Sequence, residues 1–457
     1  MNNNDDMNLS FERYDKMELV DFAERLEKYI NVEHLFVDES LVISLNAVFG
    51  AGKSTFLEMW KNRINDEKSS FDKKPTVVKI NAWRDDYCGD PFISIISSLI
   101  EELGSESEKG KNLRKEIKKI GRLSLSISNQ IVNKVTGVDL FEAGKYAEEK
   151  DQEEITLSDP FQIYEQKKNA LHRIKEIIKG FISDDNMNIL FFIDELDRCR
   201  PDYAISYLET IKHVFDIKGI VFILAVDRGQ LECTARVAFG HKMNFPEYYR
   251  KFVQREIYLP NIYGEAYKKL TKKYVQDYLK QENKRYCLQI DPGNIQNIID
   301  LLNAFQLTPR QLQEVFRILS HLLETDEKYG DNVEEYLLYG IILMSILKVL
   351  QLNIYNDLGN QGAEPKEVKE LFSSMDSKQE DSRRWFRFCL ACNGIKNPNG
   401  EKYSLVFKEA GFIGFNEDNV NKEVKDYKAN FFHLMDEDEN LFSSIYSSIE
   451  DLTNFES

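Results

Sequence analysis

The stretch LVISLNAVFGAGKSTFLEMW, residues 41–60, decides the fold of this chain. Its first residues, LVISL, form a short continuous run of apolar and β-favouring side chains that predicts a buried strand. The segment NAVFGAGKST follows, and its two glycines predict a loop that leads into the helix FLEMWKNRI. A strand, a loop and a helix in this order place backbone N–H groups at a helix start, where anions bind.

The segment from Ala47 to Ser54 carries the residue types that a phosphate-binding loop needs. Small residues let backbone N–H groups surround phosphate oxygens, a lysine reaches the outer phosphates, and a hydroxyl holds Mg²⁺. Ala47 stands where the GxxxxGKS/T pattern has glycine, which is acceptable only if its backbone avoids positive φ. A fortuitous turn is the alternative interpretation. The predicted nucleotide contacts are Phe49, Gly50, Ala51, Gly52, Lys53, Ser54 and Thr55.

Four further apolar runs alternate with helical segments along the first part of the chain. Fully apolar strands separated by helices are typical of a parallel sheet that is covered on both faces. We therefore predict an α/β fold in which helices sandwich a parallel sheet. The four runs are Thr76–Trp83, Asn188–Ile193, Gly219–Val226 and Arg255–Pro260.

The run NILFFI ends in DELDR, which places acidic residues at the tip of a predicted strand. We assign Asp194 to Mg²⁺ and Glu195 to orienting and activating the attacking water. A loop cluster of salt bridges among Asp194, Glu195, Asp197 and Arg198 is the alternative. Between the loop and these acids in sequence, Thr76–Trp83 supplies an additional strand. This arrangement resembles the P-loop class that inserts a strand and uses a catalytic glutamate.

The segments NAVFGAGKST, NAWRDD, FFIDELDRC, FILAVDRGQL, YYRKFVQREIYLP and LTPRQLQEVF occur in this order. Through them the sequence resembles the KAP family of P-loop NTPases over about residues 10 to 325, most specifically in NAW and in IDELDR followed by AVDR. The resemblance implies a nucleoside-triphosphatase module of mostly bacterial distribution, often linked to mobile elements, signalling assemblies and resistance to phage. Many members carry membrane helices between the two nucleotide motifs. This chain has a basic run and SLSISNQIV there, which favours a soluble form with no integral membrane segment.

Three charged residues follow the predicted strands closely enough to act on a nucleotide. Asp227 comes directly after GIVFILAV, in the position of a polar sensor next to the γ-phosphate. Arg198 and Arg228 are candidates to stabilise charge on the leaving phosphates, from the same subunit or a neighbouring one, as an arginine finger does. Each arginine is equally compatible with a structural ion pair to Asp197 or Asp202. Trp83 and Arg84 are secondary candidates, because a tryptophan at a strand end more often packs in the core.

Three regions are expected along the chain: a nucleotide-binding domain over 1–260 with an insertion at about 104–160, a helical lid over 261–330, and a helical region over 331–457. The second half contains helical stretches and no comparable strand patterns. Arg310 of TPRQLQ begins a predicted helix, where the resemblance suggests a lid arginine that reports the nucleotide state. A solvated helix charge is the alternative.

Composition limits the classes of partner. The 457 residues carry a formal net charge of −17, so the average surface repels phosphate backbones and anionic lipid. Nucleic-acid binding would need a local patch, for which Lys109–Arg122 is the candidate, and a solvated helix face is the alternative. Six scattered cysteines and the lack of a secretory leader fit a cytoplasmic protein. The lone CxxC of Cys389 and Cys392 predicts two core thiols rather than a zinc site.

One apolar segment, residues 336–355, is long enough to span a bilayer, but Lys348 in its middle favours a buried helix. Taken together, the features predict Mg²⁺-dependent hydrolysis of ATP by a switch whose nucleotide state controls assembly. The expected partner is a second copy of the chain or a protein of a defence or signalling complex. A nucleotide-binding scaffold with little turnover and a nucleic-acid-associated ATPase are the alternatives.

Overall fold

The computed structural model divides the chain into two compact units, Met1–Asn261 and Ile262–Ser457. Most of the insertion predicted at 104–160 and of the basic run Lys109–Arg122 lies outside the described residues. Those residues are 9–104, 107, 110–115, 160–180, 182, 189–260, 264–279, 292–325, 335–373, 380–397, 402–431 and 440–452.

Five strands form the sheet of the first unit: β1 (Leu41–Asn46), β2 (Thr76–Asn81), β3 (Ile189–Asp194), β4 (Ile220–Val226) and β5 (Arg255–Tyr258). All neighbours pair in parallel, in the spatial order β2-β3-β4-β1-β5. The predicted α/β fold with a parallel sheet is thereby confirmed.

Helices accompany the strands throughout this unit. They are α1 (Phe11–Tyr14), α2 (Val20–Glu33), α3 (Lys53–Asn65), α4 (Ala82–Asp85), α5 (Pro91–Leu103), α6 (Pro160–Lys179), α7 (Pro201–Val214), α8 (Arg228–Phe239) and α9 (Phe245–Tyr249). Buried side chains of α2 and α3 pack on one face of the sheet, and those of α5, α6 and α7 pack on the other.

Neighbouring residues of β3 show how both faces are filled. The ring of Phe191 stacks on Phe222 of β4, and the ring of Phe192 stacks on Trp60 of α3, each with centroids 4.8 Å apart. Every position of β3 and β4 is buried. These inner strands are apolar without interruption because neither face meets water.

Thr76–Trp83 supplies β2, which lies between β1 and β3 in sequence, as expected. In space, β4 lies between β1 and β3, whereas β2 lies at the edge of the sheet beside β3. β2 also ends at Asn81, whose Oδ1 accepts a hydrogen bond of 2.9 Å from the backbone N–H of Arg84 and caps α4.

A buried carboxylate joins α2 to α3. Glu27 is fully buried and accepts hydrogen bonds from Nε1 of Trp60 at 2.9 Å and from the backbone N–H of Ser70 at 2.5 Å. Nε of Arg63 lies 3.5 Å from the same carboxylate. Glu27 therefore fixes α2 against the helix that follows residues 47–52.

The second unit is helical, and its one β-type pairing among the described residues is an isolated bridge between Ala363 and Ile395. Cys389 and Cys392 are buried free thiols, as predicted. The helices are α10 (Gly264–Leu279), α11 (Pro292–Ala304), α12 (Pro309–Thr325), α13 (Glu335–Val349), α14 (Ile354–Asn360), α15 (Pro365–Leu371), α16 (Glu380–Ala391), α17 (Tyr403–Glu409), α18 (Glu417–Phe431) and α19 (Leu441–Asp451).

The apolar segment predicted at 336–355 forms α13 and the start of α14, and residues 338–347 are buried. The expectation of a buried helix is confirmed. Within the described ranges, every helix is too short or too polar to cross a membrane.

Glycines make room for α19 inside the second unit. A Cβ placed on Gly359 would lie 2.4 Å from Cγ of Tyr446, and one placed on Gly340 would lie 2.8 Å from Cδ1 of Ile445. Contacts this short do not occur between real side chains, so α13 and α14 approach α19 at positions where only hydrogen fits.

The carboxyl ends of four strands meet at one edge of the sheet. Asn81 of β2 stands opposite Asp194 of β3, and Asp194 stands opposite Ala225 of β4. Asn46, the last residue of β1, stands opposite Val226. Ligands of open α/β sheets bind outside this edge. The predicted site residues of the first unit follow β1, β3 and β4, so the fold gathers them there.

Candidate active site

Residues 47–52 connect β1 to α3 and curve around the start of that helix. Gly50 and Gly52 have φ values of 80° and 92°, a left-handed conformation that other residues adopt only under strain. Ala47 is not among the residues with positive φ, so its backbone meets the condition for alanine at this position. The first N–H groups of α3 have no partner within the helix and carry partial positive charge, which suits an anion.

Lys53 is the first residue of α3, and its side chain folds back over the loop. Nζ donates hydrogen bonds to the carbonyl oxygens of Ala47 at 2.6 Å and Val48 at 3.3 Å. Burial lowers the pKa of Lys53 from its usual value, and the nearby carboxylates of Asp197 and Asp227 oppose this shift. The ammonium therefore lies within the loop and is balanced by acids that follow β3 and β4.

Asp194 ends β3 and is almost completely buried, with 3% of its surface exposed. Burial raises the pKa of this carboxyl, and the hydrogen-bonding hydroxyl of Ser54 opposes the shift. Its Oδ1 is buried and has no hydrogen-bond partner among the described residues. A buried carboxylate oxygen without a donor is costly unless another ligand completes it. Ser54 and Asp194 thus bring a hydroxyl and an incompletely satisfied carboxylate together.

Glu195 follows Asp194 with a left-handed backbone, at φ 61° and ψ 24°. A non-glycine residue in this region costs about 1–3 kcal/mol, and such residues concentrate at functional sites. Oε2 of Glu195 accepts a hydrogen bond of 2.8 Å from Nδ2 of Asn81, and Oε1 lies 2.8 Å from Nη1 of Arg198. The carboxylate is therefore held from two sides at the edge of the sheet.

The guanidinium of Arg198 also contacts two aromatic rings. Its central carbon lies 4.5 Å from the ring centroid of Phe49 and 5.7 Å from that of Trp83, within the range of cation–π attraction. Trp83 is 54% exposed. The expectation that this tryptophan packs in the core is therefore wrong, because the strand before it ends at Asn81 and the chain turns outward into α4.

Asp227 and Asp197 connect the ends of β4 and β3. The backbone N–H of Asp227 donates to Oδ2 of Asp197 at 3.1 Å, while Oδ1 of Asp227 caps α8 by accepting from Gly229 N–H at 3.0 Å. Burial raises the pKa of Asp197, and the hydrogen bond from Asp227 opposes the rise. Asp227 lies near enough to Lys53 to act on its charge. Its role as a polar sensor is still a prediction.

The two candidate arginines have different surroundings. Arg198 pairs with Glu195 rather than with Asp197 or Asp202. Nε of Arg228 lies 3.0 Å from Oε2 of Glu256, and its guanidinium lies over the ring of Phe245 with a central carbon 5.4 Å from the centroid. Arg198 is therefore directed toward the acids of β3, and Arg228 toward the edge strand β5.

Other predicted site residues have simpler placements. Ala51 is buried under the loop, while Thr55 is exposed in the first turn of α3. Arg310 is exposed in the first turn of α12, which belongs to the second unit. Its proposed contact with nucleotide is still a prediction.

Asn81 and Asp197 received no chemical role from sequence reasoning, although both lie at the site. Asn81 was visible only as part of the NAW segment. Asn81 is a polar residue at the carboxyl end of β2, the strand that pairs with β3, and this position indicates a role in the site. The sequence alone does not reveal the pairing. Asp197 was visible as a member of an acidic cluster. Its hydrogen bond to the backbone after β4 depends on the sheet order.

The sheet, the loop after β1 and the acids after β3 together define a P-loop nucleotide-binding domain. The KAP family P-loop domain matches residues 20–325. The chain belongs to the KAP family of P-loop NTPases, as its sequence motifs indicated.

Two individual proteins are also similar. An uncharacterized protein of Methanocaldococcus jannaschii is 23% identical over 183 residues, which cover 33% of this chain and 90% of that protein. The structure of the Aeropyrum pernix ORC2 protein, in ADPNP and ADP complexes, aligns with a TM-score of 0.35 and 11% identity, covering 91% of this chain and 95% of that one.

Proposed function

We propose that this chain binds ATP with Mg²⁺, hydrolyses it to ADP and phosphate, and acts as a nucleotide-dependent switch. The observation that carries the proposal is the convergence of Lys53, Asp194 and Glu195 at one edge of the sheet, next to a loop with two left-handed glycines. Membership of a P-loop NTPase family supports nucleotide binding.

The chain's own residues divide the work of hydrolysis. The N–H groups of the loop and the ammonium of Lys53 bind the phosphates, which favours a triphosphate over less charged ligands. Glu195 orients water and accepts its proton, a contribution of about 10²–10⁴-fold when a base is well placed. Arg198 is the arginine best placed to stabilise charge on the leaving phosphates, because it lies beside both Glu195 and Phe49 of the loop.

The residues around Ser54 and Asp194 fit a magnesium ion. Mg²⁺ prefers oxygen ligands and takes few of them from the protein, keeping water and substrate phosphates for the rest. The unsatisfied Oδ1 of Asp194 and the hydroxyl of Ser54 meet this requirement. When bound, the ion neutralises charge that develops on the phosphates.

Replacing Glu195 tests the proposal. We expect Glu195→Gln to release phosphate about 10²–10⁴-fold more slowly than wild type while binding ATP with similar affinity, because Gln keeps the size of the side chain but cannot take a proton from water. Glu232→Gln is the control, since Glu232 lies on α8 and pairs with Arg236 of the same helix. Equal rates of phosphate release for Glu195→Gln and wild type would defeat the assignment.

A scaffold that binds nucleotide with little turnover is the second candidate. It is favoured by one observation: both carboxylate oxygens of Glu195 already have partners. Measurements of burst and steady-state phosphate release distinguish the two functions. A scaffold binds nucleotide but releases phosphate no faster than Glu195→Gln does.

We propose a cytoplasmic protein whose nucleotide state controls assembly with further copies or with a partner protein. A helical lid over 261–330 with Arg310 as its reporting residue belongs to the same proposal. The family resemblance alone extends it to defence against phage. Mass measurements with ADP and with a non-hydrolysable ATP analogue test the switch, and identical masses count against it.

A nucleic-acid-associated ATPase depends on the basic run Lys109–Arg122. Of that run, the structure describes residues 110–115, in which Lys111, Arg114 and Lys115 are exposed. DNA binding that weakens steeply with salt and is lost on neutralising Lys115, Lys118 and Lys119 would support this alternative.

A further inference from the structure

We propose that Asn81 and Arg198 restrain the carboxylate of Glu195, and that Phe49 of the phosphate loop couples this restraint to triphosphate binding. The inference rests on the proposed hydrolysis and adds three positioning roles to it. It concerns when Glu195 becomes free to act on water.

Both carboxylate oxygens of Glu195 already have partners. Oε2 of Glu195 accepts from Nδ2 of Asn81 and Oε1 pairs with Nη1 of Arg198, each at 2.8 Å. The side chain of Glu195 is only 16% exposed, so little of the carboxylate faces water. A general base must be within hydrogen-bond reach of the proton that it takes. Each oxygen keeps a second acceptor position, but both contacts stabilise the ionised carboxylate and fix its orientation, so Glu195 becomes a stronger base once one of the partners yields.

Arg198 also contacts the phosphate loop. Its guanidinium lies between Glu195 and the ring of Phe49, whose centroid is 4.5 Å from the central carbon. Phe49 and Trp83 are 47% and 54% exposed, so both rings lie at the surface above the sheet edge. A residue of the loop that surrounds phosphates thus contacts the same cation that pairs with the base. Movement of that loop alters the contact directly.

A bound triphosphate competes with Glu195 for the guanidinium of Arg198. A triphosphate brings several negative charges to the loop, and the attraction between charges rises as their separation falls. Arg198 then exchanges Glu195 for phosphate oxygens, and Phe49 moves with the loop. Glu195 keeps only the hydrogen bond from Asn81, so this amide sets how readily the carboxylate turns toward water.

Asn81 offers a variant that changes one contact alone. Its Oδ1 caps α4 by accepting from Arg84 N–H at 2.9 Å, while its Nδ2 donates to Glu195. Ser at this position keeps an oxygen for the cap, since serine is among the best N-cap residues, adds no charge beside Glu195, and withdraws the donor because its side chain is shorter. Asn81→Ala removes both contacts and reports what the cap contributes.

The rate test uses the full chain with ATP and Mg²⁺. Asn81→Ser is expected to raise kcat about 3- to 10-fold at similar KM, the range that a single net hydrogen bond supplies. The double variant Asn81→Ser/Glu195→Gln is expected to be as slow as Glu195→Gln, because the gain acts through Glu195. An unchanged or lower kcat in Asn81→Ser overturns the restraint, as does a double variant faster than Glu195→Gln.

Trp83 supplies a second readout that does not depend on turnover. The fluorescence emission of Trp83 is obtained by subtracting the emission of Trp83→Phe from that of wild type. It responds to the guanidinium of Arg198, whose central carbon lies 5.7 Å from the centroid of the ring. Saturation with a non-hydrolysable ATP analogue is expected to change this emission in wild type, and the change is expected to vanish in Arg198→Met. Phe49→Leu, which keeps apolar bulk without a π face, is expected to reduce it by half or more.

Calorimetry on the same samples separates the two possible failures. Binding heat with an unchanged Trp83 emission in wild type overturns the coupling and leaves the proposed function standing. Absence of binding heat overturns the proposed function, and the restraint falls with it.

Discussion

Nζ of Lys53 donates a hydrogen bond of 2.6 Å to the carbonyl oxygen of Ala47, the residue that stands in place of the first glycine of the loop pattern. The loop thus binds its own lysine at the point where the sequence departs from that pattern. A triphosphate has to compete with this carbonyl for the ammonium, so the loop sets part of the affinity.

The charge of Lys53 makes binding depend on pH. Burial lowers its pKa, so the ammonium loses its proton at a lower pH than an ordinary lysine does. Bound phosphates favour the charged form. At alkaline pH, ATP binding is therefore expected to take up a proton, and the affinity is expected to fall as pH rises. Calorimetry in two buffers of different ionisation enthalpy measures the uptake, and Lys53→Met is the control that abolishes it.

Asp194→Asn tests the magnesium assignment. The amide keeps the shape of the side chain but removes the negative charge, so we expect ATP binding in EDTA to change little. The gain in affinity on adding Mg²⁺ is expected to shrink at least tenfold, because a charged ligand is lost. Titration calorimetry with and without Mg²⁺ measures both values. An undiminished gain in Asp194→Asn contradicts the role of this carboxylate.

Glu27→Ala is expected to destabilise the first unit by about 3–5 kcal/mol, because it leaves Nε1 of Trp60 and the N–H of Ser70 buried without an acceptor. Urea unfolding followed by fluorescence measures the change. Glu24→Ala is the matched control on the same helix, since Glu24 also pairs with Arg63 but is 40% exposed, and its loss is expected to cost less than about 1 kcal/mol. Equal losses for the two variants would argue against the buried carboxylate as a link between α2 and α3.

The glycines beneath α19 predict unequal effects within the second unit. Gly359→Ala meets the ring and Cβ of Tyr446, which cannot move without the helix, whereas Gly340→Ala meets the end of the flexible Ile445 side chain. Gly359→Ala is expected to cost more, within the range of about 1–3 kcal/mol for overpacking. Thermal unfolding of both variants checks the order, and a larger loss in Gly340→Ala would reverse the interpretation.

The sequence was sufficient for the class of fold, and the roles that it suggested for the candidate site residues are still predictions. Continuous apolar runs predicted strands because the inner strands are buried on both faces, and Phe191 and Phe192 show the two faces filled by different partners. The loop and the acids after β3 were recognisable because their chemistry depends on residue type and local spacing.

The sequence did not predict the contacts between distant segments. The hydrogen bond from Asn81 to Glu195 depends on β2 pairing with β3, which the sequence does not reveal. The outward position of Trp83 depends on β2 ending at Asn81, whose side chain caps α4. Periodicity does not report either of these long-range or capping effects.

The place of β1 between β4 and β5 also has a consequence for synthesis. β1 ends at Asn46, yet its two neighbours are β4 and β5, of which the second runs from Arg255 to Tyr258. Pairing between segments so far apart in sequence is slow to nucleate. While the ribosome makes the intervening residues, the backbone N–H and C=O groups along both edges of β1 have no permanent partner strand, which exposes the nascent chain to aggregation.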